Sequence, residues 1–102
     1  MNPKFWGMLG LAMRAGKIAI GEGKAEDISR GGGAELLILA TDASANTEKK
    51  FLNMASFHKL QIIRPGDRME ICEVLGRPAV VMAVTDQGFA KQLIRLFEDD
   101  GI

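Results

Sequence analysis

Two unbroken apolar blocks stand out along the chain, Leu36-Leu37-Ile38-Leu39-Ala40 and Ala79-Val80-Val81-Met82-Ala83-Val84. Continuous runs of this length are the pattern of strands covered on both faces. Each block runs into Thr-Asp, at Thr41-Asp42 and Thr85-Asp86, and then into a stretch of helical character. Two copies of strand, Thr-Asp and helix predict a βα scaffold whose strand ends face one way. Outside the blocks, apolar residues fall at helical spacing. Phe5, Met8, Leu9 and Ala12 share one face of a first helix, with Asn2 as its cap, Pro3 in its first turn and Gly16 as its stop.

The remaining elements follow from punctuation. Residues 17–20 read as a short strand, and Gly21-Glu22-Gly23-Lys24 as a turn into a second helix over 24–30, whose apolar face is only Ala25 and Ile28. Gly31-Gly32-Gly33 ends it. A third helix over 46–58 buries Phe51, Met54 and Ala55, with Ser44, Asn46 and Thr47 as candidate acceptors for its free amides. Residues 61–64 form a third strand, Pro65-Gly66 a turn, and Asp67 with Glu70 a capping box for a helix over 69–75, closed by Gly76 with Pro78 beyond. A last helix carries Phe89, Leu93, Leu96 and Phe97 on one side, and its acidic end, Glu98-Asp99-Asp100, is expected to fray.

Four strands alternating with helices give an α/β protein, a three-layer α-β-α sandwich with a four-stranded mixed sheet. Short crossovers place the Gly21 turn, the Thr41-Asp42 turn and the Gly76-Arg77-Pro78 loop as candidates for one shared face, where ligands of open α/β sheets sit.

Composition narrows the function. The chain has 102 residues, expected to form one domain over 1–102, and its 13 basic and 13 acidic residues cancel. No global field draws a polyanion, so any such site is a local patch. Cys72 is the one cysteine, which excludes an intrachain disulfide and suits a reducing, cytoplasmic setting. The moderately apolar start is too short to span a bilayer and is interrupted by Arg14 and Lys17, so no membrane association is expected.

Candidate chemistry is sparse. Gly21-Glu22-Gly23-Lys24 is either a phosphate cradle, where glycines let amides approach and Lys24 adds charge, or a tight turn; it is too short for a nucleotide-triphosphate loop. Lys49 and Lys50 are candidates for phosphate contact near a helix start, but adjacent helical residues point about 100° apart, so at least one is expected to be solvated surface. Asp42 and Asp86 suggest a carboxylate pair, although capping and turn bonding explain both. His58 and Cys72 have no orienting third group, which argues against a nucleophile pair, and soft ligands are too few for a metal. Phe5, Trp6 and Phe57 read as packing residues in place of base-stacking platforms. No catalysis, cofactor or metal is expected.

Three blocks carry a resemblance: Gly10-Leu11-Ala12-Met13-Arg14-Ala15-Gly16-Lys17; Thr41-Asp42-Ala43-Ser44 with Asn46-Thr47 and Lys49-Lys50; and Val84-Thr85-Asp86-Gln87-Gly88-Phe89-Ala90. In order and over nearly the whole chain, they resemble the YlxQ-type bacterial members of the kink-turn RNA-binding ribosomal proteins, relatives of archaeal ribosomal protein L-seven-Ae. The resemblance implies an RNA-reading turn after the first strand, with a Gly-x-Asn-Glu pattern and a lysine three residues on. Here Gly21 is kept, Gly23 stands for Asn, Lys24 for Glu and Asp27 for Lys. A glycine cannot make the side-chain hydrogen bonds of an asparagine, and an aspartate repels phosphate. The loop that covers a flipped-out base in relatives corresponds to Leu75-Gly76-Arg77-Pro78.

The expected function is therefore non-catalytic binding of structured RNA, kink-turn-like or ribosomal, through Gly21, Glu22, Gly23, Lys24, Thr41, Asp42, Lys49, Lys50, Leu75, Gly76, Arg77 and Pro78. These cations and amide dipoles would gather at one rim, opposite the acidic end. The alternative is a protein-interaction module that docks on a ribosomal or translation protein, with exposed apolar side chains of the 75–78 loop serving either role.

Overall fold

The computed structural model describes residues 3–99. Its elements are α1 (Pro3–Arg14), β1 (Ile18–Ile20), α2 (Glu22–Arg30), β2 (Leu36–Leu39), α3 (Ala45–His58), β3 (Ile62–Ile63), α4 (Arg68–Leu75), β4 (Val81–Val84) and α5 (Gln87–Asp99). They form the three-layer sandwich expected from the alternation of strands and helices. The sheet is mixed, in the order β1-β4-β2-β3. β4 runs antiparallel to both β1 and β2, whereas β2 and β3 are parallel.

Alternation along the two central strands divides the core. Leu36, Ile38, Met82 and Val84 face α1, α4 and α5, where they meet Phe5, Leu9, Ile71 and Leu93. Leu37, Leu39, Val81 and Ala83 face α2 and α3, where they meet Ala25, Phe51 and Ala55. Every residue of β2 and β4 is fully buried. At about 1.5–3 kcal/mol for each buried Leu or Val side chain, these two strands supply the largest apolar contribution per residue, which is why they take the sheet centre.

Capping follows local chemistry. Ser44 Oγ accepts from the Thr47 amide at 3.3 Å at the start of α3. Asp67 and Glu70 form the anticipated box, with Asp67 Oδ1 accepting from the Glu70 amide at 2.9 Å and Glu70 Oε1 from the Asp67 amide at 3.0 Å. Asp86 Oδ2 accepts from the Phe89 amide at 2.9 Å, which settles Asp86 as the cap of α5. The Asn2 cap lies outside the described residues, as does Asp100 of the acidic end.

Four expectations are corrected. The two Thr-Asp turns do not face one way: β4 is antiparallel to β2, so Thr85-Asp86 lies at the opposite end of the sheet from Thr41-Asp42. α2 starts at Glu22, two residues early, because its entry is set by the backbone of Gly21 and needs no apolar residue. Glu98 and Asp99 remain helical. They also lie at the Thr41-Asp42 end: α5 runs antiparallel to α1, bringing Phe97 against Phe5 near the start of α1, with ring centroids 6.3 Å apart. Among the described residues, no helix is long and apolar enough to cross a membrane.

Candidate nucleic-acid interface

Strand direction decides which loops meet. β1, β2 and β3 run one way and β4 the other, so the ends of the first three and the start of β4 share one rim. The backbone ties them together. The Gly21 amide donates to the Val81 carbonyl at 3.0 Å, the Ala40 amide to Val80 at 2.8 Å, and the Thr41 amide to Gly66 at 2.9 Å. The three turns expected on a common face are thus on it. Because α2, α3 and α4 each follow one of the parallel strands, their positive N-terminal ends also point to this rim.

The rim is built differently at each helix. Gly21 has φ 109° and ψ 157°, a conformation closed to residues with a Cβ, and it lets β1 turn at once into α2. No side chain caps this helix, so the first-turn amides around Glu22, Gly23 and Lys24 have no side-chain acceptor. Lys24 is exposed and has no ion pair among the described residues. Across the rim, Gly76 ends α4 at φ 77°, leaving Arg77 and Pro78 exposed, again with no ion pair for Arg77 among the described residues.

Between them Asp42 is engaged. Its carboxylate accepts from the Arg68 amide at 3.0 Å and from Arg68 Nε at 3.2 Å. Partial desolvation would raise this carboxyl's pKa, but the hydrogen bonds and charge of Arg68 outweigh it and hold it below the usual aspartate value. Arg64, which sequence reading passed over as a strand end, reaches under the same turn. Its Nη2 donates to the carbonyls of Ala40 at 3.1 Å and Thr41 at 3.2 Å, and its Nη1 pairs with Glu48 of α3. A guanidinium at the end of a short strand was the available signal, but its meaning depends on the parallel pairing of β3 with β2.

Three candidate residues stand differently from expectation. Leu75 is 5% exposed and packs in the core, one helical turn after Ile71, so it offers no surface to a ligand. The apolar side chain displayed beside this loop is Met69, 74% exposed. With Asp42, Arg68, Cys72, Glu73 and Pro78 it lines a surface cavity of about 470 Å³. Lys50 bonds Glu26 of α2 at 2.9 Å, which, together with Arg30, holds the Glu26 carboxyl below its usual pKa against a smaller desolvation effect. Lys49 is exposed, and both lysines lie down the flank of α3, roughly 8–9 Å from its cap at 1.5 Å per residue.

The other candidates fall away from the rim or apart. His58 ends α3 at the far end of the sheet, while Cys72 sits in α4 on the other layer, so no nucleophile pair forms. Phe57 is 81% exposed and not a packing residue: it lies about 120° around α3 from the buried Phe51. Among the described residues no group of His, Cys, Asp and Glu could hold a metal ion.

A rim that presents helix amides, the cations Lys24 and Arg77 and an apolar-edged cavity, with Asp42 held by Arg68 and Asp67 engaged as a helix cap, has the chemistry to hold an anionic ligand with apolar parts. The chain is a member of the ribosomal protein L7Ae/L30e/S12e/Gadd45 family, whose pattern it matches over residues 4–94. It is 36% identical over 95 residues to the RNA-binding protein YlxQ of Enterococcus faecium, covering 93% of this chain and 92% of that protein. To the RNA-binding protein YlxQ of Bacillus subtilis it is 40% identical over 92 residues, covering 89% and 92%. A solved structure of a protein of unknown function from Bacillus halodurans superposes with a TM-score of 0.90 at 31% identity, covering 93% of this chain and 97% of that one.

Proposed function

We propose that the chain binds structured RNA at the rim where β1, β2 and β3 end and β4 begins, without catalysing a reaction. The observation that carries this reading is the convergence of Gly21–Lys24, Thr41-Asp42 and Gly76–Pro78 on one end of the sheet, with three helix N-termini behind them. Helix amides and the lone cations Lys24 and Arg77 suit backbone phosphates. The cavity edged by Met69 and Pro78 suits an unstacked base, which a plain duplex does not offer. Membership of a family with RNA-binding relatives supports the same ligand class.

The finer reading is a kinked internal loop recognised by its shape. Gly23 occupies the first turn of α2 with no side chain to read a base edge, so the bend itself and the splayed base carry discrimination. One reduced thiol and the ribosomal-protein kinship fit a cytoplasmic setting. A gel shift comparing a kinked internal-loop RNA with an uninterrupted duplex of the same length tests this. Binding at least about tenfold tighter to the kinked RNA is expected, since an unstacked base can enter the apolar-edged cavity and a duplex base cannot. Equal affinity for the two would reduce the interaction to generic polyanion attraction, and no retention of either would end the RNA reading.

A further inference from the structure

We propose that the groove between α1 and α5 docks an acidic, amphipathic helix of a protein partner. This face lies on the outer side of the α1/α5 layer, with a groove of about 540 Å³ lined by Met8, Leu11 and Leu96. Leu11 is 49% exposed, one of four large apolar side chains left open among the described residues. Arg14 and Arg95 edge the groove, and Lys4 stands at its other end.

Charge selects the sign of the partner. From Pro3 to Arg14, α1 has no acidic residue, and in α5 the acids are confined to Glu98 and Asp99 at its end. Arg14 has no ion pair among the described residues, and Arg95 bonds only the neutral Gln92. In a chain whose formal charge sums to zero, a groove edged by two arginines, Arg14 and Arg95, with no carboxylate partner for either among the described residues is a local excess that an acidic partner neutralises.

The floor selects the partner's class. A phosphate backbone would be attracted to the cations but would gain nothing from Met8, Leu11 and Leu96. A helix with one apolar and one acidic face uses both, lying in the trough between two antiparallel helices. Gly7 adds a second observation. It sits mid-helix on this groove, and a Cβ built there meets nothing within 4 Å. The chain's own packing therefore does not require glycine at a position where glycine weakens a helix. A partner backbone approaching α1 at this point does.

The test uses the full chain, isotopically labelled, and a synthetic helical peptide with leucines at i, i+3, i+4 and i+7 flanked by glutamates. A scrambled peptide of equal composition, an RNA duplex and vesicles containing anionic phospholipid serve as rivals. The ordered peptide should shift the amide resonances of Gly7, Leu11, Arg14 and Arg95. Scrambling, Leu11→Gln, or Arg14→Gln with Arg95→Gln should each weaken it about tenfold, while binding of RNA at the rim is unchanged. Gly7→Ala should raise Tm and lower peptide affinity together, separating lost fit from lost folding. Absence of these shifts, equal binding of the scrambled peptide, or stronger perturbation of the same resonances by the duplex or the vesicles would each overturn the proposal.

Discussion

The carboxylate of Asp42 accepts from two separate donors of Arg68, the backbone amide at 3.0 Å and Nε at 3.2 Å. One side chain after β2 thus reaches the first free amide of α4, which Asp67 and Glu70 cap from the other side. The turn after β2 and the start of α4 are fixed to each other before any ligand arrives. Discrimination by shape needs that, because a mobile rim would conform to any backbone.

This bond sets an acid limit on stability. Asp42 and Glu26 both have folded pKa values below their ordinary 3.8 and 4.5, so each contributes stability that is fully present above those ordinary values. That contribution is lost as pH falls through the lowered folded values. Urea midpoints measured at descending pH should therefore begin to fall near pH 4.5 and continue to fall below 3.8. Asp42→Asn with Glu26→Gln should flatten this part of the profile and leave the midpoint above pH 6 little changed. An unchanged acid limb would show that other carboxylates control it.

Gly66 is held where no side chain fits. A Cβ there would lie 2.8 Å from Glu70 Oε1 and 3.1 Å from Trp6 Cζ2. The Glu70 carboxylate is a flexible end and can swing away, but it then releases the Asp67 amide and opens the capping box. Loss of one such bond and a shift of the Trp6 ring should make Gly66→Ala about 1–2 kcal/mol less stable. Combining it with Glu70→Ala checks the cause. The double variant should cost clearly less than the sum of the two single ones, since both remove the same bond.

Phosphate contacts have a salt signature. If about three phosphates are neutralised at the rim, log K should fall with log salt at a slope near −2 to −3. Replacing Lys24 and Arg77 together by Ala should then make the slope shallower by about 1.5–2. Lys50→Ala should change it far less, because that ammonium is already committed to Glu26 at 2.9 Å. A larger effect from Lys50 than from the Lys24-Arg77 pair would move the interface from the rim to the α2/α3 flank.

Local chemistry was legible in the sequence, and direction was not. Continuous apolar runs marked β2 and β4, and Asp67 with Glu70 marked the start of α4, because each signal lies within a few residues of its consequence. The two apolar blocks look alike, yet they run opposite ways, since direction is decided by how the crossovers pack. That single unknown misplaced Thr85-Asp86 and put the acidic end of α5 on the wrong side. Leu75 reads both as the last residue of α4 and, through the family resemblance, as part of the base-covering loop, although its spacing from Ile71 already places it in the core. The partner of Lys50 lies on another helix, where no periodicity points.

Arg64 gives the sharpest separation of positioning from charge. Its Nη2 holds the carbonyls of Ala40 and Thr41 at 3.1 and 3.2 Å, while Nη1 pairs with Glu48, so one guanidinium joins the ends of β2 and β3 to α3. Lysine keeps the charge but not the planar fork. Two charge-assisted bonds to carbonyls are at stake; against them, Arg64 Nε is buried without a hydrogen-bond partner, and its removal offsets part of the loss. Arg64→Lys should therefore cost about 1–2 kcal/mol in urea unfolding. If Arg64 acts by shaping the Thr41-Asp42 turn, RNA affinity should fall in this variant while the salt slope stays that of the parent chain. A slope that changes along with affinity would instead make Arg64 a direct phosphate ligand.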